Sequence, residues 1–196
     1  MRKVLTIAGS DCSGGAGVQA DLKTMAAHGV FGMSVIVSVV AENTARVIDI
    51  QDISPRMIEE QIDAVFEDIA PDAVKIGMLS SPECMKAVAD KLRQYRPANV
   101  VIDPVMFAKN GDPLMDPKSV GALIEIEQVD STSTHGTGCT LSSAIASNLA
   151  LGKSVPEAVR LAKEYVTDAI RHAPGLGHGC GPLDHFCRIF NRSESK

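Results

Sequence analysis

Short apolar runs alternate with amphipathic stretches along the first half of the chain. Four of these runs are rich in β-branched residues and almost continuously apolar, as expected for strands that are buried on both faces. Each is predicted to form one strand of a central sheet. The runs are VLTIAG (4–9), SVIVSVVA (34–41), AVKIGM (73–78) and NVVIDP (99–104).

Four further stretches have the character of helices. The first two open with Ser-Pro, the residues favoured at the cap and first turn of a helix, and continue with helical spacing of apolar positions. The last one opens with Ser154 and Glu157, which have the spacing of a capping box. The four predicted helices are 54–69, 81–95, 136–152 and 154–173.

The alternation of strands and helices predicts an α/β fold in which helices cover a mostly parallel sheet. A chain of 196 residues with 45% hydrophobic content can bury a sizeable core. We therefore expect one domain over residues 1–196.

Charge and cysteine content narrow the class of protein. The net charge of -5 is spread along the chain, and no Lys/Arg run of the kind that follows a phosphate backbone is present in the sequence, which disfavours nucleic acid as a partner. No apolar run approaches membrane length, and the run at the N-terminus is too short for the core of a signal peptide. Five scattered cysteines suit a reducing compartment better than a disulfide framework. We expect a cytoplasmic protein.

A glycine-rich stretch, GSDCSGGAGVQADLKT (9–24), follows the first predicted strand. Residues 15–20 fit the dinucleotide pattern G-x-G-x-x-A, and Glu42 ends the next predicted strand, where a ribose-binding acid would lie. However, residues 10–14 separate the strand from that pattern and form a longer polar loop. The interpretation we favour is a loop that folds over a different ligand, because so many glycines are unfavourable to order without one.

The C-terminal stretch GLGHGCGPLDHFC (175–187) contains two His-x-Cys pairs. Zinc is one hypothesis for them, but their spacing does not follow the common zinc motifs. A Gly/Pro-rich closing loop is the preferred interpretation. The four residues of the zinc hypothesis are His178, Cys180, His185 and Cys187.

The stretch STHGTGCTLSSAIASNL (133–149) places a polar turn before a helix of small residues. Gly136, Thr137, Gly138 and Cys139 lead into that helix, where free backbone N–H groups and the helix dipole favour an anion such as phosphate. The same position should favour the thiolate of Cys139 by lowering the thiol pKa. Cys139 is then either a base or nucleophile, or a small apolar residue that fills a tight turn.

Together these stretches resemble the hydroxymethylpyrimidine/phosphomethylpyrimidine kinases of thiamine biosynthesis, which are ribokinase-like. The resemblance implies a three-layer α/β/α fold and an enzyme that uses ATP and Mg²⁺. The substrate of such kinases is 4-amino-5-hydroxymethyl-2-methylpyrimidine, which they phosphorylate to the monophosphate and then to the diphosphate. The resemblance is carried, in the family's order, by residues 5–24, 39–44, 75–79, 100–114, 134–146 and 175–186.

The resemblance also implies roles for individual residues. Cys139 is the base that takes the proton of the substrate hydroxymethyl group, and the turn 136–138 is the anion hole for the γ-phosphoryl group. Asp103 lies near magnesium, bound through water, or alternatively caps the strand before Pro104. The residues implied to contact the pyrimidine are Gly9, Ala16, Asp21, Glu42, Met78 and Val105.

At Glu42 the sequence departs from the family, which commonly has glutamine in this motif. A glutamine amide can both donate to and accept from an aminopyrimidine edge, whereas a carboxylate only accepts. A good pair with Glu42 therefore needs a proton on the ring nitrogen or on Glu42 itself. We expect pyrimidine affinity to fall as the pH rises, and the substitution Glu42→Gln to flatten that dependence.

A second departure lies near residues 125–127. Family members carry a further α/β stretch between the helix that corresponds to 117–125 and the strand that enters THGTGC, and this stretch supplies an N-x-x-E motif and a KGG segment. Neither motif occurs in the 196 residues. Either the sequence omits residues here or the protein is a truncated relative. We favour omission, because both flanks keep the family pattern.

Two alternative functions remain open. A pyrimidine-binding protein without turnover would keep the first loop and lose the half of the site that binds ATP. A pyridoxine-type or pyridoxal-type kinase would keep the chemistry and change the substrate, although AENT at 41–44 favours the pyrimidine branch. The resemblance also implies a homodimer.

Overall fold

The computed structural model describes residues 1–103 and 135–190. The strands in these ranges are β1 (Lys3–Ala8), β2 (Phe31–Ile36), β3 (Ser38–Glu42), β4 (Val47–Asp52), β5 (Ala73–Ile76) and β6 (Val100–Ile102). The helices are α1 (Gly17–Ala27), α2 (Pro55–Asp68), α3 (Pro82–Tyr95), α4 (Thr137–Ala150) and α5 (Val155–Arg171). None of these helices is both long enough and apolar enough to cross a membrane.

Four strands form a parallel sheet in the order β2-β1-β5-β6. Alternate residues of β1 point to opposite faces, as the pleat requires. Leu5 and Ile7 pack in a core with Ile58 of α2 and Val88 of α3. On the other face, Val4 belongs to a second core with side chains of α1 and α4. The sheet is therefore covered by helices on both faces, which confirms the predicted α/β architecture.

The run 34–41 was predicted to be one strand, and this prediction is wrong. The backbone bends at Val37, whose N–H donates to Ala8 O and whose carbonyl accepts from Ile53 N. Beyond the bend, β3 leaves the parallel sheet and pairs antiparallel with β4 as a separate two-stranded sheet. A continuous β-branched run specifies extended backbone but does not reveal where the chain changes its pairing partner.

The predicted helix starts are mostly confirmed. Ser54 and Ser81 cap α2 and α3, since each side chain accepts a hydrogen bond from a backbone N–H three residues on. Ser154 occupies the cap position of α5, but its side chain accepts no such bond. Glu157 instead lies 3.2 Å from Lys153 Nζ in an exposed ion pair. The predicted capping box is wrong, because the side chain of Ser154 does not accept the hydrogen bond that the box requires.

Candidate active site

The loop after β1 is organised around one buried carboxylate. Asp11 is 1% exposed and accepts hydrogen bonds from Ser13 N at 2.8 Å, Gly15 N at 3.1 Å and Ala16 N at 2.7 Å. The N–H groups that lead into α1 thus point at a side chain of the same loop. In the dinucleotide motif such groups face a pyrophosphate. The loop therefore does not have the geometry of a dinucleotide site.

A buried pair joins this loop to the turn before α4. His135 Nε2 lies 2.7 Å from Asp11 Oδ2, and both side chains are almost fully buried. Burial acts to raise the pKa of Asp11, but the hydrogen bonds from His135, Ser13 and Ala16 outweigh it and hold that pKa far below its usual range. Asp11 is therefore an anion that links two segments 124 residues apart.

The predicted anion hole lies in the first turn of α4. Gly136 is the N-cap residue, with φ of 82°, and no side chain caps the helix. A Cβ on Gly136 would lie 1.9 Å from Gly15 O, so only glycine allows the two loops to touch. Gly136, Thr137 and Gly138 are thus placed at a helix N-terminus directly against the first loop.

Cys139 lies in that first turn and is partly buried. Burial raises the pKa of its thiol, and it outweighs the opposing effects of Lys75 and of a backbone hydrogen bond from Gly17. The predicted lowering of this pKa is therefore wrong for the protein without substrates. The helix N-terminus favours a thiolate, but desolvation of the sulfur is the larger effect.

A buried ion pair, which the sequence analysis missed, lies beside Cys139. Lys75 Nζ on β5 is 3.0 and 2.9 Å from the two carboxylate oxygens of Asp21 on α1, and both side chains are fully buried. Asp21 also accepts from Thr6 Oγ1 at 2.6 Å and from Ser143 Oγ at 2.7 Å. Its carboxylate is thus committed to protein groups and holds Lys75. The sequence signal for this ion pair was a lysine inside the apolar run 73–78, because a charge buried in such a run must be paired.

Asp103 follows β6 at the end of a strand, as predicted, and its carboxylate faces the first turn of α4. Its backbone N–H donates to Ile76 O at 2.8 Å, and Ser142 Oγ lies 3.3 Å from Oδ2. A Cβ on Gly138 would lie 3.3 Å from the same oxygen, so the carboxylate fills the space beside the turn. Burial raises the pKa of Asp103, and Lys75 only partly opposes this. Carboxylates are the groups by which proteins usually hold hydrated magnesium, but burial here favours the neutral acid.

Some of the residues predicted to contact the pyrimidine border the first loop, whereas Asp21 is fully buried and its carboxylate bonds only to protein groups. A Cβ on Gly9 would lie 3.7 Å from Met78 Cε, which places these two residues together. Glu42, at the end of β3, is clamped through its backbone: Cys12 Sγ donates to Glu42 O at 3.0 Å and accepts from Glu42 N at 3.3 Å. Val105 lies outside the described residues.

The zinc hypothesis is not supported by the described part of the chain. His178 and Cys180 are exposed, whereas His185 is buried and lies 3.1 Å from Thr140 Oγ1 through Nε2. Within the described ranges, three metal-ligating side chains come together only at Asp11, Glu42 and His135. The hydrogen bonds that Asp11 already accepts there leave it poorly suited to a metal.

The stretch 175–187 instead closes one side of the site. Thr44, in the turn between β3 and β4, accepts hydrogen bonds from His178 N and Gly179 N, both at 3.2 Å. His135 N donates to Gly181 O at 3.2 Å. The C-terminal loop therefore contacts both the β3–β4 turn and the turn before α4.

The family model described as phosphomethylpyrimidine kinase matches this chain at residues 11–129 and 122–184. A bifunctional thiamine biosynthesis protein of Geobacter sulfurreducens, ThiED, is 38% identical over 253 residues, which cover 93% of this chain and 52% of that protein. The chain thus spans about half of that relative. A hydroxymethylpyrimidine/phosphomethylpyrimidine kinase of Rhizobium meliloti is 36% identical over 258 residues, covering 94% of this chain and 97% of that one.

Two kinases of known structure are also similar to this chain. A phosphomethylpyrimidine kinase from Clostridium difficile 630 has a TM-score of 0.74 at 38% identity and covers 87% of this chain and 100% of its own. A pyridoxal kinase from Staphylococcus aureus, in complex with pyridoxal, has a TM-score of 0.83 at 28% identity and covers 96% of both chains. The fold is ribokinase-like, as predicted.

Proposed function

Because the chain belongs to the phosphomethylpyrimidine kinase family, we propose that it transfers the γ-phosphoryl group of ATP to 4-amino-5-hydroxymethyl-2-methylpyrimidine and then to its monophosphate. The observation that carries the proposal is the convergence of Gly136, Cys139 and Asp103 at one end of the sheet, against the first loop. This is where a parallel α/β sheet binds its ligands.

Positioning and electrostatics account for most of phosphoryl transfer, so the chain needs few reactive groups. The backbone N–H groups of the first α4 turn would donate hydrogen bonds to the negatively charged oxygens of the transferred group. Cys139, as a thiolate, would take the proton of the substrate hydroxyl. Magnesium, when bound, neutralises phosphate charge, and Asp103 is the residue that would hold it through water.

The role of Cys139 is tested by Cys139→Ala. If the thiol is the base, turnover falls by about two to four orders of magnitude, while the dissociation constant of the pyrimidine, measured by calorimetry, stays within about twofold of the original because uniform substrate binding is retained. Cys187→Ala, which removes a partly buried thiol beside α5, is the matched control. Retention of turnover in Cys139→Ala would show that the base is another group.

A pyridoxal kinase is the second candidate, favoured by one observation. The pyridoxal kinase from Staphylococcus aureus has the higher TM-score of the two structures, although its sequence identity is lower. Competition between the pyrimidine and pyridoxal for one site separates the candidates. We expect the pyrimidine to bind more tightly, and stronger binding of pyridoxal would reverse the substrate assignment.

Glu42 bears directly on this choice. We expect the affinity for the pyrimidine to fall as the pH rises, because the carboxylate needs a shared proton to pair with the ring edge. In Glu42→Gln the affinity should change little with pH. A dissociation constant of the original protein that does not vary with pH would rule out this mode of recognition.

We propose further that the protein carries a central segment near residues 125–127 that the printed chain lacks. The family model matches in two pieces that meet at residues 122–129, and the alignment with the Rhizobium meliloti kinase extends over 258 residues. Intact mass spectrometry tests this. A mass above 20.7 kDa supports the segment, and a mass of that value means a truncated relative that binds pyrimidine with little ATP turnover.

A homodimer is the proposed assembly. The β3–β4 sheet exposes a group of large apolar side chains, which a second copy would cover. These are Val39 at 50%, Val47 at 44%, Ile48 at 62% and Ile50 at 49% exposure. Sedimentation should give a dimer that Ile48→Lys dissociates, and a monomer at micromolar concentration would contradict the assembly.

All five cysteines are free, which fits the proposed cytoplasmic location.

A further inference from the structure

Lys75 has an unusual place in the sheet. It lies on β5 opposite Thr6 of β1, on the face covered by α1 and α4, and its side chain is fully buried. A lysine is rarely buried unless it is paired, and its long side chain loses more conformational entropy than an apolar residue would. Asp21 supplies the pairing carboxylate.

The ion pair of Lys75 and Asp21 also connects several elements of the fold. Asp21 is fixed by Thr6 and Ser143 as well as by Lys75, so the ammonium is held from β1, α1 and α4 together. A Cβ on Gly77 would lie 2.9 Å from Lys75 Nζ, and the glycine thus leaves room for the ammonium at the end of β5. Ser143, which donates to Asp21 at 2.7 Å, follows Cys139 by one turn on the same face of α4, so the ion pair lies beside the first turn of that helix.

Three acidic groups surround this one cation. Cys139, Asp21 and Asp103 each act electrostatically on Lys75, and together they outweigh burial and raise its pKa. By reciprocity, the ammonium favours the anionic form of the thiol, against its burial. The group that must lose its proton in the proposed reaction thus depends on one buried positive charge.

We propose that Lys75, held by Asp21, is a positioning residue of the phosphoryl-transfer site: it is the fixed cation against which Cys139 holds negative charge. This proposal rests on the proposed function for its role in catalysis. The charge relationship itself is a property of the protein without substrates and can be measured separately.

The test is the rate at which iodoacetamide alkylates Cys139 in the full chain, followed from pH 6 to 10 by peptide mass spectrometry. Lys75→Met, which keeps the length and removes the charge, should slow alkylation at pH 8 about tenfold or more by moving the midpoint of the profile to higher pH. Loosening of the structure would expose the thiol and have the opposite effect. The exposed thiol of Cys180 in the same samples is the internal control.

Asp21→Asn is the partner variant, because it keeps the cation and removes the carboxylate that opposes the thiolate. Its midpoint should move to lower pH. If Lys75→Met does not fold, Lys75→Met/Asp21→Asn removes both charges, and its profile is compared with that of Asp21→Asn. Equal midpoints in that comparison, or in Lys75→Met and the original protein, would overturn the proposal.

Kinase turnover separates this proposal from the proposed function. If the alkylation midpoints move as expected but the original protein phosphorylates neither the pyrimidine nor pyridoxal, the proposed function fails and the role of Lys75 in catalysis fails with it. If the original protein is active, the pH at which turnover is half-maximal should rise in Lys75→Met while pyrimidine affinity is unchanged. An unchanged pH profile of turnover would refute the catalytic role.

Discussion

His185 gives the protein a pH dependence of stability that can be calculated in advance. Its side chain is 3% exposed, and burial together with Lys23 lowers its pKa to about 4, with Asp184 opposing. In the unfolded chain a histidine has a pKa of about 6.5. Between these values the unfolded chain binds a proton that the folded protein does not, so unfolding takes up a proton and stability falls as the pH falls.

The two pKa values set the magnitude. The contribution of His185 to the free energy of unfolding is complete above about pH 6.5. About 2 kcal/mol of it is lost between pH 7 and pH 5, and about 3 kcal/mol by pH 4. Other groups titrate over the same range, so the quantity to compare is the difference between the original protein and His185→Gln. Glutamine keeps a polar group beside Thr140 but has no proton to gain in this range.

Urea unfolding at pH 7, 6 and 5, followed by circular dichroism, gives the free energy of unfolding of both proteins. The advantage of the original protein over His185→Gln should shrink by about 2 kcal/mol between pH 7 and pH 5. His172→Gln, at the exposed end of α5, controls for the loss of a surface histidine. A change of less than about 0.5 kcal/mol, well below the calculated effect, would show that His185 is not held neutral by burial.

Two further changes test the contact between the loops. Gly136→Ala should destabilise the protein by more than about 3 kcal/mol, because its Cβ would meet Gly15 O at 1.9 Å. The control Gly152→Ala, with φ of 86° and open space around it, should lose only about 1–2 kcal/mol from backbone strain. Equal losses in the free energy of unfolding, measured with urea, would contradict the contact. Asp11→Asn places an amide group among hydrogen-bond donors and should lose about 3 kcal/mol at pH 7, against about 1 kcal/mol for Ser13→Ala. Thermal unfolding gives the comparison, and similar losses in the two variants would mean that the carboxylate is not the organiser of the loop.

The parts of the fold that could be predicted are those that depend on local pattern. Buried parallel strands give continuous apolar runs, and Ser-Pro marks the starts of α2 and α3 whatever surrounds them. The bend at Val37 could not be predicted, because it depends on which backbone groups are offered by residues 8 and 53. A pattern within one segment contains no information about partners in another.

The positions of two segments of the candidate site could be predicted for a similar reason. The sequence of the turn 136–139 shows directly that a helix begins there. The apolar run before Asp103 likewise shows that a strand ends before that residue. The pairing of Lys75 with Asp21 joins residues 54 apart, and neither residue has a local signal that names the other. The protonation of Cys139 depends on how deeply the sulfur is buried, which only the packing of α4 against α1 and the sheet decides.

The buried bond between Asp11 and His135 also has a consequence for biosynthesis. Asp11 is synthesised before its partner, which follows 124 residues later in the chain. Until then the carboxylate can accept hydrogen bonds from its own loop but lacks the imidazole of His135, and the loop that donates to Thr44 follows later still. We infer that the rim of the site is completed only after residues 178–181 have been synthesised, so that a chain which terminates before them cannot form the complete ligand site.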